Sequence, residues 1–438
     1  MAEGLLDEAC AALERARKAG ADDAVAAVGE GVETEFRFRD GKLEKVQESG
    51  SRSLALQLYV DGRYGSHATS DLRDTELQRF VEDAVALTRA LERDPYRAIP
   101  DPALYAGRAE IDLELVDPTL AGLSRERALD WLGAMDAATH AHARVVSATS
   151  SVSWRRGASA RASTNGFRGE SAATSVSYGS GVTLDEGNGK RPEAYRFVGG
   201  RRLADLPPPA GVAAEALARA LARLGSAKAP SARTTLVVDP EAGPGILRFL
   251  FGALTAAAVQ QRRSFLAQRG DQAVASPLLT LTDDPFVPRG LGSRLWDGEG
   301  IAARRLPIVD AGMLRAFYVD TYYGRKLGWT PTTGGPSNLV FGAGARDQAG
   351  LLADAHDGFY VTSWLGGNAD ATSGDFSIGI RGHRIERGRV GAPVSEMNVT
   401  GSYLQLLANL VAVGNDPHPY SSVRTPTLVF REVEFSGL

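Results

Sequence analysis

Six histidines (His67, His140, His142, His356, His383 and His418) and one cysteine, Cys10, are the residues best suited to hold a metal or attack a carbonyl. A lone cysteine excludes an internal disulfide and every zinc site built from several thiolates, so any metal would rest on His, Asp or Glu. Cys10 stands at helical spacing among Leu6, Ala9 and Leu13 and reads as a half-buried apolar residue. Only His140 and His142 are close in sequence, and two residues apart on a helix they diverge by about 200 degrees, so they cannot chelate together. An exposed helix end suits them better. Acidic residues gather at Asp283, Asp284, Asp297 and Glu299, then at Asp370 and Asp375. The segment DATSGDFSIGIRGHRI could bring Asp370, Ser373, Asp375 and His383 together at the end of a strand pair, as a Ser/His/Asp hydrolase would need. Nothing in the spacing demands it: solvated turn acids and a solvated strand histidine explain the same residues.

GxSxG, the Walker A spacing and the HExxH pair are all absent. Gly290, Gly292 and the GGPSN stretch at 334–338 neither follow a strand nor open a helix, and read as turns. The pairs Arg201-Arg202, Arg262-Arg263 and Arg304-Arg305 read as solvated or helix-end charges, with Arg262 and Arg263 just past a helix C-terminus.

The elements that would position these residues follow from periodicity. Leu5, Leu6, Ala9, Leu13 and Ala16 predict a helix from Leu5 to about Lys18, ended by Gly20. Alternation around Phe36 and Phe38, and again from Leu54 to Val60, is interrupted by Asp40-Gly41 and Asp61-Gly62, which predicts an antiparallel meander. Further helices are expected over 75–91, 124–140, 212–224, 245–259 and 403–411, with turns at Asn165-Gly166 and Gly187-Asn188-Gly189. Helices and strands mix without βαβ alternation, so the fold class is α+β. The small, flexible stretch GSAKAPSAR at 225–233 reads as a linker between an N-terminal domain (1–224) of helices on antiparallel sheet and a C-terminal, mostly β domain (234–438).

With 438 residues, 43% of them hydrophobic, the chain can bury a large core. A net charge of -4 gives no surplus for a nucleic-acid backbone. No apolar run is long enough for a membrane span, and the N-terminus lacks the apolar core of a secretion signal, so a cytoplasmic protein is expected.

From about residue 228 onward several colinear blocks resemble the TldD/PmbA family, once called modulators of DNA gyrase and regarded as peptidases. They are VVDPEAGPGILRFLFGAL, RRSFL, WDGEGIAARRLPIVDAGMLRAFYVDTYYGRKLG, VTSWLGGNADATSGDFSIGIRGHRIERG and PVSEMNVTGSYLQLLANLVAVGND; DGKLEKVQESGSRSLALQLYVDGRYGSHATSDL and TNGF extend the likeness toward the N-terminus. The resemblance implies a two-domain α+β protein with a sheet-lined cleft for extended peptides. In TldD-like members a helix after the Pro-Gly pair carries HExxxH, and a cysteine near the C-terminus completes the zinc site. Aligned on Pro244 and Gly245, this chain has Phe249, Leu250 and Leu254 in those positions, and no cysteine after Cys10. That pattern resembles the metal-free PmbA, or TldE, type. It implies no catalytic residue and no cofactor in this chain, a zinc-bearing TldD-like catalytic subunit as partner, and unfolded or short peptides as substrate. Arg262, Asp297, Glu299, Tyr322 and Asp375, which lie in or beside the matching blocks, are the candidate lining of the peptide cleft. A homodimeric peptide-binding scaffold, and an independent hydrolase using Asp375 and His383, are the alternative readings.

Overall fold

The computed structural model describes residues 4–187 and 189–438. Helix α1 (Leu5–Lys18) is followed by three antiparallel strands, β1 (Asp23–Arg39), β2 (Lys42–Val60) and β3 (Arg63–Thr69). Both connections are two-residue turns with positive φ at Asp40 and Gly41 and at Asp61 and Gly62, the geometry that favours Asp-Gly between twisted strands. After α2 (Asp74–Arg89) and α3 (Arg125–Thr139) the long strands β4 (Val145–Ser163) and β5 (Arg168–Leu184) and the shorter β6 (Glu193–Gly200) complete a six-stranded sheet, ordered β3-β2-β1-β4-β5-β6. Helix α4 (Pro209–Leu221) closes this half. Of the expected turn at 187–189, Asn188 lies outside the described residues, while Gly187 and Gly189 have positive φ.

One face of the sheet carries all four helices. Ala24, Ala26, Val28, Leu54, Leu56, Leu58, Ala158, Ala160 and Ala162 meet α1 and α2, and Phe36, Val152, Trp154, Val176, Tyr178 and Val198 meet α3 and α4. All are even-numbered, as period-two alternation requires. Small residues, among them Gly29, Gly31, Ser53, Gly157 and Ser159, floor the opposite face.

The stretch 225–233 runs extended and is pinned in place: Ala227 bridges Val394, and Ala229 O accepts from Leu438 N. Strand β7 (Ala232–Val238) then leads into α5 (Gly243–Ala253) and α6 (Ala256–Gln260). The single helix expected over 245–259 is broken in two. Leu254 ends α5, Thr255 turns extended to bridge Tyr318, and its hydroxyl caps α6 by accepting from Ala258 N. A small sheet follows, built from β8 (Leu281–Asp283), β9 (Leu306–Asp310), β10 (Met313–Leu314), β11 (Leu339–Phe341) and β16 (Val423–Arg424), with α7 (Thr321–Leu327) beside it.

After α8 (Gln348–Ala355) come β12 (Gly358–Ala369), β13 (Asp375–Glu386), β14 (Arg389–Ser402), the short α9 (Tyr403–Ala408), β15 (Leu410–Val413) and finally β17 (Leu428–Ser436). The last helix is shorter than the expected 403–411, because Leu410–Val413 pairs with β17 instead. Strand β17 bonds both β7 and β14, so β7, β12, β13, β14 and β17 close into a ring. The largest apolar core fills this half, with Ile246, Leu247, Leu250 and Leu254 among its members.

Candidate functional site

Helix α5 is the element on which the family resemblance places metal chemistry. Its first turn fits tightly: a Cβ on Gly243 would come within 2.2 Å of Thr425, and one on Gly245 within 2.3 Å of Trp364. The indole N–H of Trp364 donates to Ala242 O at 2.7 Å, tying β12 to the helix start. Farther along, Leu250 and Leu254 are 1% and 0% exposed. Phe249 is half-buried, with its ring 6.2 Å from Tyr403 and the Arg248 guanidinium 4.4 Å above its centre. Tyr403 stacks on Phe265, leans on Phe376 and donates its hydroxyl hydrogen to Ile246 O; burial pushes its phenol well above the usual range. Of the expected apolar stripe, Leu247, Leu250 and Leu254 are buried, but Phe251 is only partly covered.

Zinc does not fit this environment. Phenylalanine and leucine offer no lone pair, and Leu250 and Leu254 are packed within the apolar core. Among the described residues no group of three or more His, Cys, Asp or Glu side chains comes together to bind a metal.

The five candidate cleft residues separate into two groups. Asp297, Glu299 and Tyr322 adjoin α7. Asp297 accepts from Glu299 N, Ile301 N and, across the loop, Gly334 N. Glu299 accepts from the backbone and hydroxyl of Thr321, while burial, reinforced by Asp297 and Asp320, pushes its carboxyl above the usual range. The Tyr322 hydroxyl donates to Asp94 at 2.7 Å, and Arg97 and Lys326 both stand over its ring. All three therefore hold loops or join the two halves. Arg262, at positive φ, and Asp375 are exposed; the chain just past Arg262 bonds from Phe265 N to Ala371 O, on the turn before Asp375.

Several readings of individual residues need correction. Asp283 and Asp297 are buried, so they are not solvated turn acids: Asp283 accepts from Ser337 and burial raises its pKa. Asp375 receives a hydrogen bond from Ser373 Oγ, but His383 lies eight positions along the same strand, about 26 Å away at roughly 3.3 Å per residue. A Ser/His/Asp centre cannot form there. His383 is also less solvated than expected: it is half-buried beside Tyr360, bonds to Ala222 O, and burial lowers its pKa. Arg201 is not a surface charge either, since its guanidinium donates to the carbonyls of Thr174 and Leu291.

The sequence reading missed the polar joint beside α5. Arg196 and Arg219, from β6 and α4, pair with Glu215 and with Glu241, which lies just before α5. Asp239 accepts from Tyr360 and Gln348, and Thr427 bonds both Gln348 and Asp416. His418 sits at this joint, its pKa pushed down to about 4 by burial and by Arg196. Arg161 faces Asp297 and Glu299 with its Nε hydrogen unpartnered among the described residues. Apart from Glu215 and Arg219, four residues apart on α4, these partners come from distant parts of the chain, and no local pattern announces them.

A six-stranded sheet with four helices on one face, joined to a closed ring of strands that shares an apolar core with α5, defines an α+β fold. Family models described as PmbA/TldA metallopeptidase domain 1, central domain and C-terminal domain match residues 24–88, 118–224 and 231–437. The chain belongs to the PmbA/TldD family. It is similar to metalloprotease PmbA of Escherichia coli O157:H7, at 28% identity over 99% of this chain and 96% of that protein. It is also similar to a Bacteroides thetaiotaomicron protein described as a modulator of DNA gyrase, at 38% identity and TM-score 0.96, covering 99% of this chain and 98% of the other. TldE from Thermococcus kodakarensis shares the fold, with TM-score 0.87 at 18% identity over 98% of this chain and 100% of the other.

Proposed function

We propose that this chain is a metal-free, non-catalytic subunit of a peptidase assembly, working in the cytoplasm with a zinc-bearing TldD-like partner on unfolded or short peptides. One observation carries the reading: where the resemblance places His, Glu and His, α5 carries Phe249, Leu250 and Leu254, the two leucines in the driest part of the core. A side chain that cannot ligate zinc or accept a proton gives no hydrolytic step, so this chain contributes binding surface and order to its partner. Its family relatives bear the name metalloprotease, and in this reading that chemistry belongs to the assembly.

Metal analysis of the chain alone, and of its complex with a co-purified TldD-like subunit, tests the reading. Zinc at about one ion per complex, none in the isolated chain, and peptidase activity only in the complex are expected. Stoichiometric zinc in the isolated chain, with activity lost on chelation, overturns it.

A further inference from the structure

Strand β3 covers β2 only from Leu54 to Val60. Toward Lys42 the other edge of β2 pairs with β1, but the outer edge from Lys42 to Ser53 has no backbone hydrogen bond to any described residue. This free edge is about 40 Å long at roughly 3.4 Å per residue. A long open edge exposes alternating N–H and C=O groups that pair readily with another extended chain.

Two further features bear on what the edge accepts. Glu44, Lys45 and Arg52 are already paired with Arg39, Glu35 and Glu8, and the remaining charges, Lys42 and Glu48, are of opposite sign. An arriving strand therefore meets an edge with no net charge demand. Where β3 leaves the sheet, a cavity of about 380 Å³ opens on the helix-covered face beside Arg52 and Leu54. Ala11, Val28, Leu54, Leu72 and Leu77 supply its apolar lining, and the ion pairs Arg15–Asp74 and Arg52–Glu8 stand at its rim. Backbone pairing gives sequence-tolerant affinity, and a pocket at alternate-residue spacing adds side-chain choice.

We propose that the outer edge of β2 is a docking site for an extended peptide, which adds as a further strand along Lys42–Ser53 and places one apolar side chain in the cavity between α1 and α2. The inference rests on the peptide-handling reading above, and the site lies in the N-terminal half, away from α5.

The test is fluorescence anisotropy of a labelled peptide of roughly ten residues, alternating leucine with threonine and lysine, titrated with the intact isolated chain. Two isomers, N-methylated on one or the other set of alternate amides, accompany it. The parent peptide binds, one N-methylated isomer loses binding by at least roughly tenfold, and the other keeps it, because only one set of amides faces the edge. Ala11→Trp, at an exposed helix position that tolerates bulk, fills the cavity and weakens the parent peptide by roughly tenfold while circular dichroism stays unchanged. Amide exchange at 42–53 slows when peptide is added. Equal binding of both isomers, or no response to Ala11→Trp, overturns the proposal. So does slowing at 42–53 by a TldD-like subunit when the peptide produces none, which would assign the edge to subunit contact. None of these outcomes depends on zinc, so they are separable from failure of the metal-free assignment.

Discussion

Helix α5 and the β2 edge are opposites in nearly every physical respect. The first is wedged between Trp364, Thr425 and the Tyr403 ring cluster, with Leu250 and Leu254 sealed from water. The second has exposed apolar side chains at Leu43 and Val46 and a row of free backbone groups. The fold is that of the PmbA/TldD family, and the helix on which the resemblance places metal ligands contributes to the apolar core. The difference teaches that family membership predicts the scaffold, whereas the side chains at particular positions decide the chemistry each part can offer.

The largest effect should come from forcing chemistry back into the core. Leu250→Glu places a carboxylate in the apolar core, and a loss of about 3–5 kcal/mol or more in urea unfolding is expected. The triple change Phe249→His, Leu250→Glu and Leu254→His should behave no better. If it unfolded at the parent's urea midpoint and bound zinc, the contrast would collapse, because α5 would then be a silenced metal site with its surroundings intact.

Next comes the entry to α5. Gly245→Ala drives a methyl into the Trp364 ring, and overpacking of this kind costs about 1–3 kcal/mol. A Gly245→Ala, Trp364→Phe double variant should recover part of the loss, since the smaller ring leaves room; additivity of the two changes would show that they do not share this contact.

The polar joint offers a pH test. The folded His418 pKa is about 4 against an ordinary 6.5, so below pH 6.5 the unfolded chain takes up a proton that the folded chain refuses. Stability contributed by the neutral ring is full above pH 6.5, falls as pH drops toward 4, and changes no further below. His418→Gln should remove that acid-side fall, by about 1 kcal/mol once solvent screening of the partly open ring is allowed for. Parallel curves for parent and variant between pH 7 and 4 would contradict the assignment of His418 as a partly buried ring held neutral.

How much of this contrast could be read from the chain depends on the range of each interaction. The α1 boundaries and both Asp-Gly hairpins follow from neighbours a few residues apart, and they appear where periodicity and turn chemistry place them. Thr255 is a local signal that was overlooked: a threonine before three alanines is a helix N-cap, and it splits the expected helix. The correspondence of Phe249, Leu250 and Leu254 to metal-ligand positions comes from the family resemblance alone. Burial of Asp297 was not legible, because its partner Gly334 N arrives from another loop; nor was the pairing of Arg196 with Glu241, since β6 and the start of α5 meet only in the folded chain. Asp375 and His383 misled for the opposite reason, as closeness in sequence on a straight strand means separation in space.

The smallest expected effect lies at the open edge. Leu43→Ser and Val46→Ser remove apolar groups that solvent already reaches, and surface substitutions away from caps, cavities and networks usually stay within about 0.5 kcal/mol. Equal urea midpoints for parent and double variant are therefore expected, although the same pair of changes inside the α5 core would unfold much of the population. Because β1 supplies the bonds to the inner edge of β2, strand formation does not depend on these side chains. A loss above about 2 kcal/mol would mean that Leu43 and Val46 are covered in solution, most simply by another chain along the edge. Concentration dependence of the midpoint would separate that cause from a local packing loss, since only association couples stability to protein concentration. Such an outcome would make the edge a subunit interface, and the contrast with α5 would become one between two buried regions, one sealed by its own chain and the other by a neighbour.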